Sequence, residues 1–333
     1  MIMMENQITR ERGKKMSTHV AEPITEIRAD VLPELKDFGD LPLEVRQRAI
    51  QSELVRRELL GKLPLEIAEI FVDCFLYPTD EKAAALKEFF ARPDTSVITS
   101  NIIGHKPSSH KALEPLYRKF PTMTVDQYFY DCPAGDAIPD RLDAVVANVP
   151  DWIRFAGRGK DVVKVIVPGS GPAQDIIRIL TENPDLRERV QAYCVDNEPS
   201  AIQLGEQLAK KAGVADNIHY IEGDLMKLDY SDMDLALLVG IICPLPRRVC
   251  IKIIKQVASY CHKGGLVVVS AALQKMLIED PVTCFVMDFI GWRLFYKTEE
   301  EMRAIIADSG LTWRGSFQEP KSKFHLITIA QKM

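Results

Sequence analysis

The stretch 162–196 constrains the fold of this chain more than any other part of the sequence. An apolar, β-branched run over 162–167 leads into two glycines, Gly169 and Gly171, and an amphipathic helical pattern follows. A second apolar run then ends in the carboxylate of Asp196. This order predicts a strand, a tight turn, a helix and a second strand parallel to the first. The glycines let a ligand approach the backbone, and the free N–H groups at a helix N-terminus favour a nucleotide.

The glycine turn departs from two common nucleotide motifs. The dinucleotide fingerprint needs a small residue where Gln174 stands, and no P-loop sequence occurs. The letters P-G-S-G-P-A over 168–173 resemble instead motif I of the class I methyltransferases that use S-adenosyl-L-methionine (SAM). In that family the G-x-G turn contacts the methionine moiety, and an acid at the end of the second strand binds the ribose. The resemblance therefore implies SAM as the cofactor, with Asp196 on the ribose.

From residue 162 onward, apolar runs alternate with helical patterns, which is typical of a doubly wound α/β sheet. Parallel strands are predicted over 162–167, 192–195, 218–221, 235–242 and 266–271. Helices are predicted over 174–181, 199–212, 247–261, 276–292 and 299–309. The last two apolar runs, 311–317 and 324–330, are too close in sequence for a parallel crossover and predict an antiparallel hairpin. The predicted fold class is a mostly parallel seven-stranded sheet with a C-terminal antiparallel hairpin. This topology is similar to the methyltransferase sheet.

The first half of the chain is predicted to be helical. Helical spacing of apolar residues covers 42–59, 63–77 and 79–90, whereas 98–130 is less regular and 131–139 is rich in turn residues. A further helix is predicted over 140–155, with a break at Pro150. We therefore divide the chain into a flexible tail (1–25), a helical N-terminal domain forming a lid or acceptor pocket (26–155) and a Rossmann-like SAM-binding domain (156–333).

Composition limits the classes of function. The 333 residues are 47% hydrophobic and 27% charged, with a net charge of −5, which argues against a large nucleic-acid footprint. No apolar run reaches the length of about 18 residues that a membrane span needs, and the first residues lack a secretory signal. Seven scattered cysteines without a C-x-x-C pair favour buried thiols in a reducing, cytoplasmic compartment over disulfides or a metal. The expected partner is a small-molecule acceptor, and a homodimer is left open.

In open α/β sheets, ligands bind at the carboxyl ends of the strands. Asp196 has the alternative role of capping the helix that starts near Pro199, and Asp224 has that of a turn residue. In the resembled family, the acid after the third strand holds the adenine amine and the next apolar residue packs on the ring, which Asp224 and Leu225 match. The residues expected to contact the cofactor are Pro168, Gly169, Ser170, Gly171, Asp196, Asn197, Asp224, Leu225 and Gly240.

Methyl transfer asks little of the protein beyond proximity and alignment, and a general base is needed only when the acceptor arrives protonated. A methyltransferase can therefore lack a recognisable catalytic motif. A lone His or Tyr is more often structural, and Arg293 has the alternatives of clamping a carboxylate or lying on the surface. The candidates for a base or an orienting group are His105, His110, Tyr130, Arg293 and Tyr296.

A narrower resemblance involves Arg141, the letters G-P-A over 171–173 and the run W-R-L-F-Y-K-T-E over 292–299. These are similar to bacterial enzymes that methyl-esterify hydroxy fatty acids, although Ser170 and Lys297 replace a cysteine and an arginine of that pattern. The predicted reaction is methyl transfer to an oxygen or nitrogen of a small molecule, with a carboxylate among the acceptors. Three alternatives stay open: aminocarboxypropyl transfer of the nicotianamine-synthase type, a non-catalytic SAM-binding protein, and NAD binding, which Gln174 and the hairpin oppose.

Overall fold

The computed structural model describes residues 35–105, 110–118 and 124–333, so the predicted tail lies outside the described residues. Within these ranges the helices before the first strand are α1 (Leu43–Arg56), α2 (Leu65–Leu76), α3 (Asp80–Phe90), α4 (Val97–Gly104), α5 (His110–Arg118), α6 (Thr124–Asp131) and α7 (Pro133–Ala156). The strands are β1 (Val163–Pro168), β2 (Val190–Asp196), β3 (Ile218–Glu222), β4 (Met233–Leu238), β5 (Cys261–Ala272), β6 (Leu311–Gln318) and β7 (His325–Lys332). The remaining helices are α8 (Gln174–Glu182), α9 (Pro184–Arg187), α10 (Pro199–Ala212), α11 (Arg247–Ser259), α12 (Gln274–Glu279), α13 (Pro281–Phe289) and α14 (Glu299–Asp308).

The first three predicted helices form close to their expected bounds, as α1, α2 and α3. The start of α3 shows why, because Thr79 Oγ1 accepts a hydrogen bond from Lys82 N at 3.4 Å. Asp80 and Glu81 place negative charge in the first turn, where the helix dipole favours it. Local signals of this kind are read directly from the sequence.

The region 98–139 is more helical than predicted. It contains α4, α5 and α6, and α7 begins at Pro133, inside the stretch predicted to form turns. Proline suits the first helical position because its missing N–H would be unpaired there, and Cys132 Sγ accepts from Gly135 N at 3.3 Å. Pro139 and Pro150 lie inside α7 without ending it, so the predicted break at Pro150 is wrong.

The packing of α7 explains why it continues through two prolines. Its C-terminal part buries Val145, Val149 and Ile153 in the core under β1, whereas Ala134 and Ile138 near its start belong to the core of the helical half. Burial along the helix offsets the hydrogen bonds that proline removes. One continuous helix therefore contributes to both cores and ends at Ala156, at the predicted division.

The strand order is β3-β2-β1-β4-β5-β7-β6 in the described residues. β1, β2, β3, β4 and β5 run parallel, and β7 runs antiparallel to both of its neighbours. The predicted α/β class, the mostly parallel seven-stranded sheet and the C-terminal antiparallel hairpin are confirmed. The order reverses around β1, which has β2 on one side and β4 on the other, and such a reversal opens a crevice at the carboxyl ends.

β4 is shorter than predicted. It ends at Leu238, and the chain then turns at Gly240, whose φ is +81°. A residue in this left-handed region favours glycine and does not continue a strand. The apolar residues 239–242 therefore form a loop at the carboxyl edge of the sheet, where a strand was expected.

The helical half packs on the segment between β5 and α14. The ring of Phe285 in α13 lies 5.1 Å from those of Phe71 and Phe75, centroid to centroid, in edge-on contacts. Asp280 divides the predicted helix over 276–292 into α12 and α13, and its Oδ2 accepts from Ala134 N at 3.0 Å. This carboxylate joins the starts of α13 and α7, which brings the helical half to the carboxyl edge of the sheet.

Candidate functional site

The loop over 168–173, here called the glycine bend, connects β1 to α8. Gly169, Gly171 and Ala173 all have positive φ, of +65°, +52° and +58°. A Cβ on Gly169 would lie 2.4 Å from Ile241 Cδ1, so no larger residue fits there without a shift. A Cβ on Gly171 would meet only His110 Cβ, at 4.0 Å, so the backbone angle alone favours glycine there. The bend is therefore a tight turn whose backbone is closely approached by the Ile241 side chain at Gly169.

Asp196 holds this bend. Its Oδ2 accepts a hydrogen bond from Gly171 N at 2.8 Å, and its Oδ1 accepts from Glu198 N at 2.9 Å. The N-cap of α10 is Glu198, and that helix end has no side-chain cap hydrogen bond. Asp196 is therefore not the N-cap residue of α10, and its carboxylate joins the end of β2 both to the glycine bend and to Glu198 at the start of α10. Each carboxylate oxygen retains acceptor capacity for a ligand.

A cavity of about 640 Å³ lies against the glycine bend. This volume is within the range of about 300–1,000 Å³ that is typical of small-molecule sites. α5 and α7 form one wall, and the loop after β4 forms another. Much of the remaining wall is apolar and includes Met276, Met287 and Leu294. The cavity therefore has a polar end at the strand termini and an apolar body beneath the helical half.

Arg141 of α7 is the buried cation of the polar end. The residue is 8% exposed, and its Nε makes no hydrogen bond with any described residue. A Cβ built on Gly240 would lie 3.3 Å from Arg141 Nη2, so the glycine lets the guanidinium reach the end of β4. A buried charge without a contacting partner is unusual, because desolvation penalises it.

Asp175 and His325 lie in the same wall. Burial raises the pKa of Asp175 to about 6, against the opposing effects of the Ile176 N–H and the charge of Arg141. Burial lowers the pKa of His325, the charge of Arg141 lowers it further, and Glu319 partly opposes this. His325 is therefore neutral near pH 7 and able to accept a proton.

No family model matches the sequence, and no curated protein matches it. Magnesium protoporphyrin IX methyltransferase from Synechocystis, solved with bound S-adenosylhomocysteine (SAH), is 16% identical with a TM-score of 0.50, over 66% of this chain and 92% of that one. A possible exported protein from Bordetella parapertussis is 15% identical with a TM-score of 0.53, over 88% and 98%. A protein from Nostoc punctiforme (18% identity, TM-score 0.44) is aligned over 57% of this chain and only 58% of its own length.

The chain has the class I methyltransferase fold. Its strand order, with β7 antiparallel between β5 and β6, is the order in which that fold places its last strand. At these identities the likeness shows the fold alone.

The structure brings together part of the predicted cofactor set. Four of the predicted residues line the cavity: Gly169, Ser170, Gly171 and Gly240. Asp196 is outside the cavity wall and accepts a hydrogen bond from Gly171 N. The other predicted residues lie outside the cavity wall: Pro168, Asn197, Asp224 and Leu225.

Asp224 and Leu225 follow β3, as predicted. The Asp224 side chain is 47% exposed, and its Oδ1 accepts from Met226 N at 2.9 Å, the turn contact that was its alternative role. Leu225 reaches back toward the bend, since its Cδ2 lies 3.8 Å from a Cβ built on Gly169. Their assignment to adenine stays a prediction.

The predicted catalytic candidates separate widely. His110 lines the cavity, and its Nδ1 lies 3.3 Å from Glu198 Oε2. His105 is exposed after the end of α4, and Arg293 forms a surface ion pair with Asp37. Tyr130 and Tyr296 are buried outside the cavity wall, and burial raises the pKa of Tyr296 well above its ordinary value. Of these five candidates, His110 is the one that reaches the cavity wall.

The 292–299 run has a structural role that its pattern did not reveal. Trp292 and Leu294 line the cavity, whereas Lys297 is 2% exposed. Its Nζ donates to the carbonyl oxygens of Ile242 at 3.3 Å and Leu245 at 3.2 Å. Lys297 therefore fixes the loop after β4 by binding backbone carbonyls.

Sequence reasoning missed Asp175 and His325 as cavity residues and noted Arg141 only within a resemblance. His325 stands at the start of an apolar strand and Arg141 in a helical pattern, so neither has a local signal.

In the described part of the chain, no helix is long and apolar enough to cross a bilayer. Nor do any three His, Cys, Asp or Glu residues among those described form a group that could hold a metal ion.

Proposed function

We propose that this chain is a SAM-dependent methyltransferase acting on a small-molecule acceptor. The observation that supports this most is the hydrogen bond from Gly171 N to Asp196, which joins the glycine bend to an acid at the reversal of the strand order. In open α/β sheets this crevice is where nucleotides bind. SAH is bound in the solved structure of the Synechocystis methyltransferase, which has a similar fold.

The residues present fit that cofactor. Gly169 and Gly171 add no side chain to the bend at their positions, and the acceptor capacity of Asp196 suits two ribose hydroxyls. We assign Gly169, Gly171 and Gly240 to the methionine end, Asp196 to the ribose, and Asp224 with Leu225 to adenine. When bound, SAM supplies a methyl group already activated by its positive sulfur.

The apolar body of the cavity indicates the kind of acceptor. Met276, Met287 and Leu294 offer no hydrogen bonds, so the bulk of the acceptor is apolar and its reacting group lies toward the polar end. His325 is the candidate base when the acceptor is an alcohol or amine that must lose a proton. An acceptor that arrives as a carboxylate would need no base.

Calorimetry of SAH binding tests the cofactor assignment. Replacing Asp196 with alanine should weaken SAH binding by about 1–3 kcal/mol, which is about 5- to 150-fold in Kd. Asp216→Ala is the matched control, because this exposed acid precedes β3 at the opposite edge of the sheet. Equal SAH affinity in the wild type and Asp196→Ala would refute the ribose assignment.

Product analysis tests the reaction. A methyltransferase releases SAH and a methylated acceptor, whereas aminocarboxypropyl transfer releases methylthioadenosine. Binding of SAM without either product, across a panel of apolar alcohols, amines and carboxylic acids, would favour a binding protein. Failure of the wild type to bind SAM or SAH at millimolar concentration would overturn the whole proposal.

A further inference from the structure

Arg141 presents a buried positive charge to the cavity with no counterion in contact. It is 8% exposed, it lines the cavity, and its Nε has no hydrogen-bond partner among the described residues. Arg154, in the same helix, shows the contrast. Its guanidinium binds both carboxylate oxygens of Asp185, at 2.8 and 3.0 Å, and Asp151 at 2.9 Å. Within one helix, the surface arginine is saturated and the buried one is not.

The surroundings of Arg141 leave room for a ligand. Gly240 has no side chain to block the guanidinium, and a Cβ there would lie 3.3 Å from Nη2. Asp175 lies in the same wall, and the charge of Arg141 acts to lower its pKa. The two side chains nevertheless form no ion pair or hydrogen bond with each other. A planar guanidinium matches the two oxygens of a carboxylate, and an enclosed cation gains most when a ligand supplies the anion.

We propose that Arg141 binds a carboxylate group in the cavity. The two sources of this group are the amino-acid end of the cofactor and a carboxylate on the acceptor. The first source rests on the proposed function, because it requires SAM at the glycine bend. The second requires only that an apolar molecule with an anionic end enters the cavity.

The first arm of the test uses two cofactor analogues that differ by one group. SAH carries the carboxylate, and S-adenosyl-3-thiopropylamine keeps the amine and lacks only the carboxylate. Wild type should bind SAH about 10- to 150-fold more tightly, the scale of one charge-assisted hydrogen bond. Arg141→Gln should lose this preference, Arg141→Lys should keep part of it, and the control Arg154→Gln should keep all of it.

The second arm uses octanoate and octanol on protein saturated with SAH, or on the free protein if SAH does not bind. A preference for octanoate that Arg141→Gln removes assigns the carboxylate to the acceptor. The proposal is overturned if wild type shows no carboxylate preference in either arm, or if the preference survives Arg141→Gln. Should Arg141→Gln fail to fold, by circular dichroism, Arg141→Lys decides, and an unchanged preference in that variant overturns the proposal.

The two arms separate failure of this inference from failure of the proposed function. Wild type that binds neither SAH nor S-adenosyl-3-thiopropylamine refutes the cofactor site, and the octanoate arm still tests Arg141. Wild type that binds both equally well supports the cofactor site, and it assigns Arg141 no role in holding the amino-acid end.

Discussion

Replacing Asp175 with asparagine should stabilise the protein at neutral pH and change its stability little in acid. Asp175 is the second residue of α8, and its Oδ1 accepts from Ile176 N at 2.8 Å. Asparagine retains an acceptor oxygen for that hydrogen bond while removing the charge. The variant therefore isolates the cost of ionising a carboxyl group in the cavity wall.

The magnitude follows from the pKa. Burial raises the pKa of Asp175 from 3.8 to about 6. Because the folded value is the higher one, the native state holds the proton more tightly, and wild type loses stability as the pH rises through this interval. At about 1.36 kcal/mol per unit, the penalty approaches about 3 kcal/mol above pH 7, of which about 1.4 kcal/mol develops between pH 5 and 7.5. Water entering from the cavity screens the charge, so these figures are upper bounds.

Urea denaturation of both proteins between pH 5 and 7.5 measures this effect. The stability gain of Asp175→Asn over wild type should grow with pH. The change of this gain with pH is the quantity that tests the reasoning. Asp185→Asn is the control, since Arg154 lowers the pKa of Asp185 below its ordinary value, so that carboxylate is ionised throughout this interval and its replacement should give a stability difference that does not change with pH. A difference for Asp175→Asn that is flat or falls with pH would refute the reasoning.

Three further substitutions test the packing of the glycine bend and of the helical half, and urea denaturation measures each of them. Gly169→Ala should cost about 2–4 kcal/mol, because it adds left-handed strain to a clash with Ile241. Gly171→Ala meets only His110 Cβ, at 4.0 Å, and should cost about 1–2 kcal/mol. Equal losses would contradict the clash. Asp126→Ala should cost about 2–4 kcal/mol, because the carboxylate accepts several hydrogen bonds at the start of α4, including that of Val97 N at 3.0 Å. A loss of no more than about 1 kcal/mol, that of a single exposed cap, would show that these bonds are replaced by water.

Much of the fold could be predicted because its signals are local. The apolar run, the glycines and Asp196 lie within 35 residues, and their order indicates a strand, a turn, a helix and a parallel strand before any contact is known. α10 was predicted over the bounds that it has, Pro199–Ala212. The errors occurred where burial overrides propensity, as in α7, whose apolar face keeps Pro139 and Pro150 within a helix.

The candidate site likewise contains residues that the sequence could predict and residues that it could not. The glycine bend and Asp196 follow strands directly, and the rule that ligands meet strand ends places them together. Arg293 shows the limit of local pattern, because aromatic neighbours suggested a clamp and the side chain instead pairs with Asp37, 256 residues away. His325 and Asp175 had no local pattern to mark them.

The sequence alone determined the order of the elements, the parallel sheet and the acid that joins the glycine bend, since each depends on residues near one another in the chain. Only the tertiary structure decided which charges face the cavity. Three such residues, Arg141, Asp175 and His325, come from α7, α8 and β7. They become buried only when those elements pack together. That burial shifts the pKa of Asp175 and of His325 and encloses the charge of Arg141.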